Sequence, residues 1–377
     1  MIPQECCVLI PSLSPDEKLP AYVQELAAAG YGLVLVVDDG SAAEYQPIFE
    51  EIAGWERCRV LHHEVNRGKG AALKTGFAYL KDNTDFSGVL TADSDGQHTV
   101  PDTLKLTAEM SGKPEVLLGS RDFSRSNPNV PPKSRFGNRM TSGVFRVLYG
   151  QWLPDTQTGL RAFPRALMDF MANVKGDRFE YEMNMLIQCS NSRIPMRPVT
   201  IETIYEQENK GTHFHPIRDS WRIYKLLLGN FFRFMSSSIV CWLTDILLFT
   251  LLKHWSALKD LENSMGFLRA LAMSAEPVLL ATVIARVISA SLNFKLNQTL
   301  VFSVKKAKGA VWRYIVLCVG VMLASGVAVG FLKEHTGINS TVIKMAVDFL
   351  LFFVNYRIQK AWVFPAERAD ALKGETK

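Results

Sequence analysis

Apolar and polar positions follow one rhythm up to about residue 230 and another beyond it. In the first part, short apolar runs end in polar clusters. Cys7–Leu13 leads to a turn at Pro15, and the fully apolar GLVLVV at 32–37 leads into Asp38-Asp39-Gly40-Ser41. Gly88–Ala92 meets Asp93-Ser94-Asp95-Gly96-Gln97-His98, and Val116–Gly119 meets Ser120-Arg121. Short apolar runs bounded by turn residues predict buried strands. Helical spacing over Glu17–Ala29 and Ala71–Leu80 predicts helices between them. This β-α-β-α-β order predicts an α/β domain with a mostly parallel sheet covered on both faces. Open sheets of this kind bind ligands at the carboxyl ends of their strands, where the polar clusters fall.

Beyond residue 230 the apolar runs lengthen. Phe234–Leu252 contains only Asp245 as a charge, and Tyr314–Leu332 contains none. Met273–Phe294 is interrupted by Glu276 and Arg286, while Val342–Tyr356 has Lys344 near its start and Asp348 inside. A helix needs about 20 residues to cross the hydrocarbon core, so the pattern predicts an all-α transmembrane domain of four helices. Asp245, Glu276, Arg286 and Asp348 have two readings: pairing of Arg286 with an acid, or a polar path for a lipid phosphate or sugar. The segment Ser303–Arg313 carries Lys305, Lys306, Lys308 and Arg313 without an acid, whereas the other loops balance their charges. The positive-inside rule places it in the cytoplasm, and four spans then place both termini there. The expected protein is a multi-pass protein of the cell (inner) membrane with a cytoplasmic N-terminal domain. Its expected segments are a domain at 1–215, a juxtamembrane amphipathic helix at 216–230, the membrane domain at 231–364 and a tail at 365–377. NFKLNQTLVF at 293–302 and NYRIQKAWVF at 355–364 suggest that a two-helix hairpin is duplicated.

The 377 residues, 48% apolar and 21% charged, exclude a wholly disordered chain. A net charge of +5 gives no reason to invoke nucleic acid. Six cysteines with no C-x-x-C pair argue for reduced thiols rather than a disulfide scaffold. MIPQECCVLIPSL lacks the basic and long apolar regions of a signal peptide and reads as a first strand. No G-x-G-x-x-G follows the first strand, and RGKGAALKTG lacks P-loop spacing, which disfavours NAD and ATPase chemistry.

Asp93 and Asp95, one residue apart at a strand end, suit a divalent ion whose remaining oxygens come from a diphosphate. They do not stand alone. VVDDGS at 36–41, NRGKGAALKTG at 66–76, ADSDGQH at 92–98, GSR at 119–121 and DTQTGLRAF at 155–163 occur in order. Together they resemble family 2 glycosyltransferases of GT-A fold, of the dolichyl- or polyprenyl-phosphate mannose or glucose synthase type. The second half resembles the GtrA-like four-helix membrane domain. The resemblance implies a nucleotide-sugar donor, Mg²⁺ or Mn²⁺, and a polyprenyl phosphate acceptor, undecaprenyl or dolichyl. It also implies roles. Asp38, Asp39, Lys69, Asp93 and Asp95 are donor contacts. Asp93, Asp95 and Gln97 are metal ligands, with Asp95 the best single one. Arg121 holds the diphosphate, while His98 reads as a packing or capping residue.

On the acceptor side, Pro131–Arg146 mixes Lys133, Arg135, Arg139 and Arg146 with apolar residues, the composition of an interfacial helix. Arg135 is the expected contact for the lipid phosphate, and Asp95, Arg121 and Arg135 form the expected catalytic set. Arg139, Asp155, Arg218 and Arg222 are further acceptor candidates; anchoring to anionic lipid is an equal reading of Arg218 and Arg222. Glu180 and Glu182 read either as a wall of the sugar pocket or as ordinary acids.

The expected reaction is an inverting transfer of a hexose from UDP-glucose or GDP-mannose to polyprenyl phosphate. The alternatives are a processive polysaccharide synthase, a glycolipid-forming transferase and a lipid-linked-sugar transporter with an inactive head. Against the first, QTGLR at 157–161 has no tryptophan at the needed spacing. Small residues such as Gly320, Ala324, Gly326 and Gly330 also allow a homo-oligomer.

Overall fold

The computed structural model describes residues 1–125, 127–128, 130–203, 216–264, 279–304, 309–336 and 338–365, with the side chains of 216–220, 222, 262–263 and 279 excepted. Its contacts divide the chain between Leu227 and Leu228. The N-terminal unit contains β1 (Cys6–Ser12), α1 (Lys18–Ala28), β2 (Leu33–Asp38), α2 (Gln46–Ala53), β3 (Cys58–His62), α3 (Lys69–Asn83) and β4 (Gly88–Thr91). It continues through α4 (Val100–Glu109), β5 (Val116–Ser120), α5 (Pro132–Tyr149), β6 (Arg161–Pro164), α6 (Met168–Ala172), α7 (Glu180–Asn191) and β7 (Met196–Thr200).

These strands form one sheet of order β3-β2-β1-β4-β6-β5-β7. Only β6 runs against its neighbours, pairing antiparallel with β4 and β5. The centre of the sheet is shielded on both faces: every residue of β1 is buried, and β2 is buried from Val34 to Asp38. This double burial explains why these strands read as continuous apolar runs rather than alternating ones. Leu19, Val23 and Leu26 of α1 pack with Val8, Ile10, Val34 and Val36 in the core. β1 and β2 end together, Ser12 pairing with Asp38, while the parallel β4 stops earlier, its last residue Thr91 pairing with Leu9. The acid clusters therefore leave the sheet at the same carboxyl-end edge.

Helix α8 (Pro216–Leu252) is followed by α9 (Ser256–Ser264), α10 (Leu279–Leu296), α11 (Ala310–Thr336) and α12 (Ser340–Ile358). Ile223–Leu252 and Ala310–Thr336 are long and apolar enough to cross a membrane. The expected separate juxtamembrane helix at 216–230 is instead continuous with the first apolar segment in α8. No proline interrupts it after Pro216, and its lone Gly229 has open space around it.

In the C-terminal unit the sequence repeat is also a structural repeat. Both copies end in a π-helical turn, Asn297–Val301 and Gln359–Val363, at matching places. Phe294 and Tyr356 match, as do Phe302 and Phe364. Phe234 and Tyr314, each following an arginine, occupy matching places in the first helices. Their ring contacts repeat accordingly: Phe234–Tyr356 at 5.3 Å and Phe294–Tyr314 at 5.4 Å; Phe302–Tyr356 at 5.9 Å and Phe294–Phe364 at 5.3 Å. Phe302 stacks on Phe364 at 5.4 Å where the copies meet. Buried Asn297 links them, donating from Nδ2 to Gln359 Oε1 at 3.0 Å while accepting from Ser237 Oγ at 2.6 Å.

The charged residues expected in hydrocarbon find partners. Arg286 Nη2 lies 3.2 Å from Asp245 Oδ2, and Asp348 accepts from Lys344 at 2.9 Å and Ser325 at 2.6 Å. The structure thus favours the pairing reading of Arg286. Glu276 lies outside the described residues.

Candidate active site

The strand-end clusters divide into carboxylates that hold the backbone and carboxylates that face the cleft. Asp38 and Asp39 are of the first kind. Asp38, 1% exposed, accepts from Ser41 N at 2.8 Å and Gln46 Nε2 at 3.2 Å, with His62 Nδ1 at 3.0 Å. Burial opposes its charge, but the bonds from Ser41, His62 and Gln46 prevail and lower its pKa. Asp39 is equally buried. It accepts from Gly68 N at 2.7 Å and Arg67 N at 3.0 Å, with His63 Nδ1 at 2.8 Å. On its other side His63 Nε2 lies 2.9 Å from Thr75 Oγ1 of α3. Asp39 therefore organises the 66–68 loop, a role its sequence context did not reveal.

That loop aims Lys69. Gly68 has φ +105° and ends the loop, and a Cβ there would lie 2.6 Å from Arg178 Cγ. Lys69 is therefore the first residue of α3 rather than part of the loop, as its NRGKG setting had suggested. Its Nζ lies 2.6 Å from Asp93 Oδ1 and 3.0 Å from Glu182 Oε1 of α7. Burial works against the Lys69 charge, but Asp93 and Glu182 together raise its pKa above the usual lysine value. Burial likewise opposes the Asp93 charge; Lys69 and His98 outweigh it and hold that carboxyl well below its usual range. His98 is buried, with Nε2 3.4 Å from Asp93 Oδ2, so it packs directly on the site.

Below Asp93 lies the 155–161 segment. A Cβ on Gly159 would lie 2.5 Å from Asp93 Oδ1. Thr91 Oγ1 donates to Gly159 O at 2.8 Å and Gly119 N to Leu160 O at 2.8 Å, so β4 and β5 pin the segment. Asp95 is exposed, and its Oδ1 accepts from Gln97 N at 3.0 Å. Desolvation, and then the charge of Asp93, raise the Asp95 pKa.

Arg121 and Asp155, read as separate diphosphate and acceptor contacts, form one bidentate pair: Nε to Oδ2 at 2.7 Å and Nη2 to Oδ1 at 3.3 Å. Asp155 is fully buried and also accepts from Gln157 N at 2.9 Å. Arg135 Nη2 donates to Asn127 O at 2.9 Å. Arg139 is exposed on α5, as are Phe136 and Met140. The side chains of Arg218 and Arg222 lie outside the described residues. Glu180 accepts from Asp177 N and Arg178 N at the start of α7, which makes it a cap, while Glu182 enters the site.

Sequence reasoning missed His63, Asn138 and Gly159. Asn138 of α5 accepts from Thr156 N at 3.3 Å and donates to Pro154 O at 2.5 Å, tying α5 to the segment around Asp155. The adjacent VLHH and DD pairs at matching strand ends carried a signal for His63. Nothing in the local sequence marked Asn138.

Among the described residues no three His, Cys, Asp or Glu side chains converge as a ready-made metal cage. The donor set instead offers neighbouring carboxylates, with Asp95 facing solvent. That fits a hard divalent ion that takes part of its coordination from a substrate diphosphate.

Comparison with known families agrees with this architecture. Residues 8–171 match the model for glycosyl transferase family 2, and residues 233–364 match the GtrA/DPMS transmembrane domain. The chain therefore carries a family 2 glycosyltransferase domain of GT-A type followed by a GtrA/DPMS membrane domain, and it is a glycosyltransferase. An uncharacterized protein of Methanocaldococcus jannaschii is 29% identical over 60% of this chain and 93% of its own length. The UDP-N-acetylglucosamine–dolichyl-phosphate N-acetylglucosaminyltransferase of Methanococcus voltae is 27% identical over 55% of this chain and 89% of its own. The dolichyl-phosphate beta-glucosyltransferase of Drosophila melanogaster is 26% identical over 56% and 70%.

Proposed function

We propose that this protein transfers a hexose from a nucleotide-sugar to polyprenyl phosphate, with inversion at the anomeric carbon. The observation that carries the reading is the juxtaposition of Asp93, Lys69 and Glu182 at the end of β4, with Asp95 open beside them. The transmembrane domain and the relatives named for dolichyl phosphate support a lipid acceptor. Their names also favour UDP-glucose or another gluco-configured UDP-sugar over GDP-mannose.

Asp93 and Asp95, with Gln97 beside them, would hold Mg²⁺ or Mn²⁺, which when bound supplies charge neutralisation for the leaving diphosphate. Lys69 adds a cation that strengthens the hold on the same diphosphate. Arg121, fixed by Asp155, presents a guanidinium whose geometry suits phosphate oxygens. Arg135 and Arg139 on α5 would receive the acceptor phosphate, Arg135 exchanging its bond to Asn127 O for it. A phosphate monoester has its second pKa near 6, so the nucleophile is already largely dianionic at neutral pH. The residues have to bring two anions into line rather than remove a proton.

The test is a transfer assay on protein purified in detergent, with radiolabelled UDP-glucose, UDP-GlcNAc or GDP-mannose, undecaprenyl phosphate and Mg²⁺ or Mn²⁺. Label entering the lipid fraction, and absent with Asp95→Ala, is the expected result. Donor hydrolysis with unlabelled lipid overturns the acceptor assignment.

A further inference from the structure

Lys69 is shared by two carboxylates on different elements, one of them part of the metal-site pair. Asp93 follows β4; Glu182 lies on α7, whose backbone at Glu182 O accepts from the buried Arg161 Nη1 at 3.0 Å. Asp93 is flanked by His98 and by Gly159, so it can move only toward the cleft. Lys69 carries its ammonium on a flexible four-carbon stem, held by both carboxylates. The formal charges of Asp93, Asp95, Glu182 and Lys69 leave a deficit that matches one divalent cation.

We propose that Glu182 is a positioning residue for donor binding. It holds the Lys69 ammonium when a divalent cation takes the Asp93 carboxylate, and it keeps that ammonium beside the arriving diphosphate. Without Glu182, Lys69 rests on Asp93 alone and competes with the metal for it. Its removal therefore weakens metal binding through Lys69, not merely through the loss of one negative charge. The inference rests on the proposed nucleotide-sugar chemistry and adds α7 to the site.

The experiment is a double-mutant cycle on the full-length protein in detergent, read by Mn²⁺ titration with electron paramagnetic resonance of the free ion. The variants are Glu182→Gln, Lys69→Met and both together, each checked for thermal unfolding. Glu182→Gln is expected to weaken Mn²⁺ binding about tenfold, corresponding to about 1.4 kcal/mol. In the Lys69→Met background the same change is expected to cost less than twofold. UDP binding in the presence of Mn²⁺ is expected to fall in both single variants. An equal loss of Mn²⁺ affinity in both backgrounds would show that Glu182 acts only as a distant charge and would overturn the inference, while leaving the transferase reading intact. A wild-type protein that transfers sugar but binds no Mn²⁺ would also overturn it. Absence of both Mn²⁺ and UDP binding in folded wild-type protein would overturn the donor-site reading itself.

Discussion

Gly159→Ala places one methyl group against the carboxylate on which the donor site depends. Gly159 is not among the glycines with positive φ, so the effect of alanine is first one of space. The new Cβ would fall 2.6 Å from Asp93 Cγ, against ordinary contact from 3.4 Å. Both carboxylate oxygens are nearer still, so something must yield by more than about 0.8 Å. The segment cannot easily do so, because Thr91 and Gly119 hold its carbonyls from both sides. The Asp93 carboxylate must withdraw, leaving Lys69 and the metal position. Overpacking of this kind costs about 1–3 kcal/mol, and a misplacement near 1 Å costs roughly 10²-fold in rate. We expect kcat/KM for sugar transfer to fall by about 10²-fold in a folded protein. Gly143→Ala is the control. It lies in α5 with nothing within 4 Å of its Cβ, and it should stabilise the protein by about 0.5–1 kcal/mol. Transfer kinetics and thermal unfolding of both variants decide the matter: Gly159→Ala activity within threefold of wild type would refute the steric argument.

Three further outcomes are expected. Arg121→Met strands the fully buried Asp155 carboxylate and should destabilise the N-terminal unit by about 3–5 kcal/mol, measured by urea unfolding; the Arg121→Met, Asp155→Leu pair should recover much of that loss. Asn297→Leu removes the link to Gln359 and Ser237 and should cost about 0.6–1.7 kcal/mol in detergent, followed by thermal unfolding; no change would mean that the aromatic contacts alone hold the copies together. Asp38 has a folded pKa below its unfolded value of 3.8, so its contribution is present above pH 3.8 and is lost as pH falls through the folded pKa. Asp38→Asn should therefore flatten the acid limb of the stability curve, and an unchanged limb would contradict that assignment.

The sheet was readable because β1, β2, β4 and β5 are buried on both faces and leave unbroken apolar runs. Strand β6 was not, because Arg161–Pro164 is four residues long and begins with a charge that ends up inside the protein. The position of the site was readable for a related reason: polar clusters end the strands. The roles within it were less so, because a carboxylate looks the same in sequence whether it holds a loop or faces a ligand. Asp39 and Asp93 differ only in what folds over them: three donors in one case, a lysine and an open cleft in the other. Glu182 and Glu180 are two residues apart on one helix, and only the entry of the chain into α7 decides which becomes the cap. The membrane repeat was visible in NFKLNQTLVF and NYRIQKAWVF, but its reach into the first helices was not, because there only the aromatic–arginine–aromatic triplets match.

The exchange of aromatic partners between the two hairpins has a consequence for how the second half assembles. Phe234 seats on the second helix of the other hairpin, and Tyr314 does the same in return. Each hairpin thus completes its neighbour, as two halves of a clasp do. The two hairpins produced together as separate chains should still yield an assembled membrane unit, while either one alone would present an unfilled aromatic seam to the lipid.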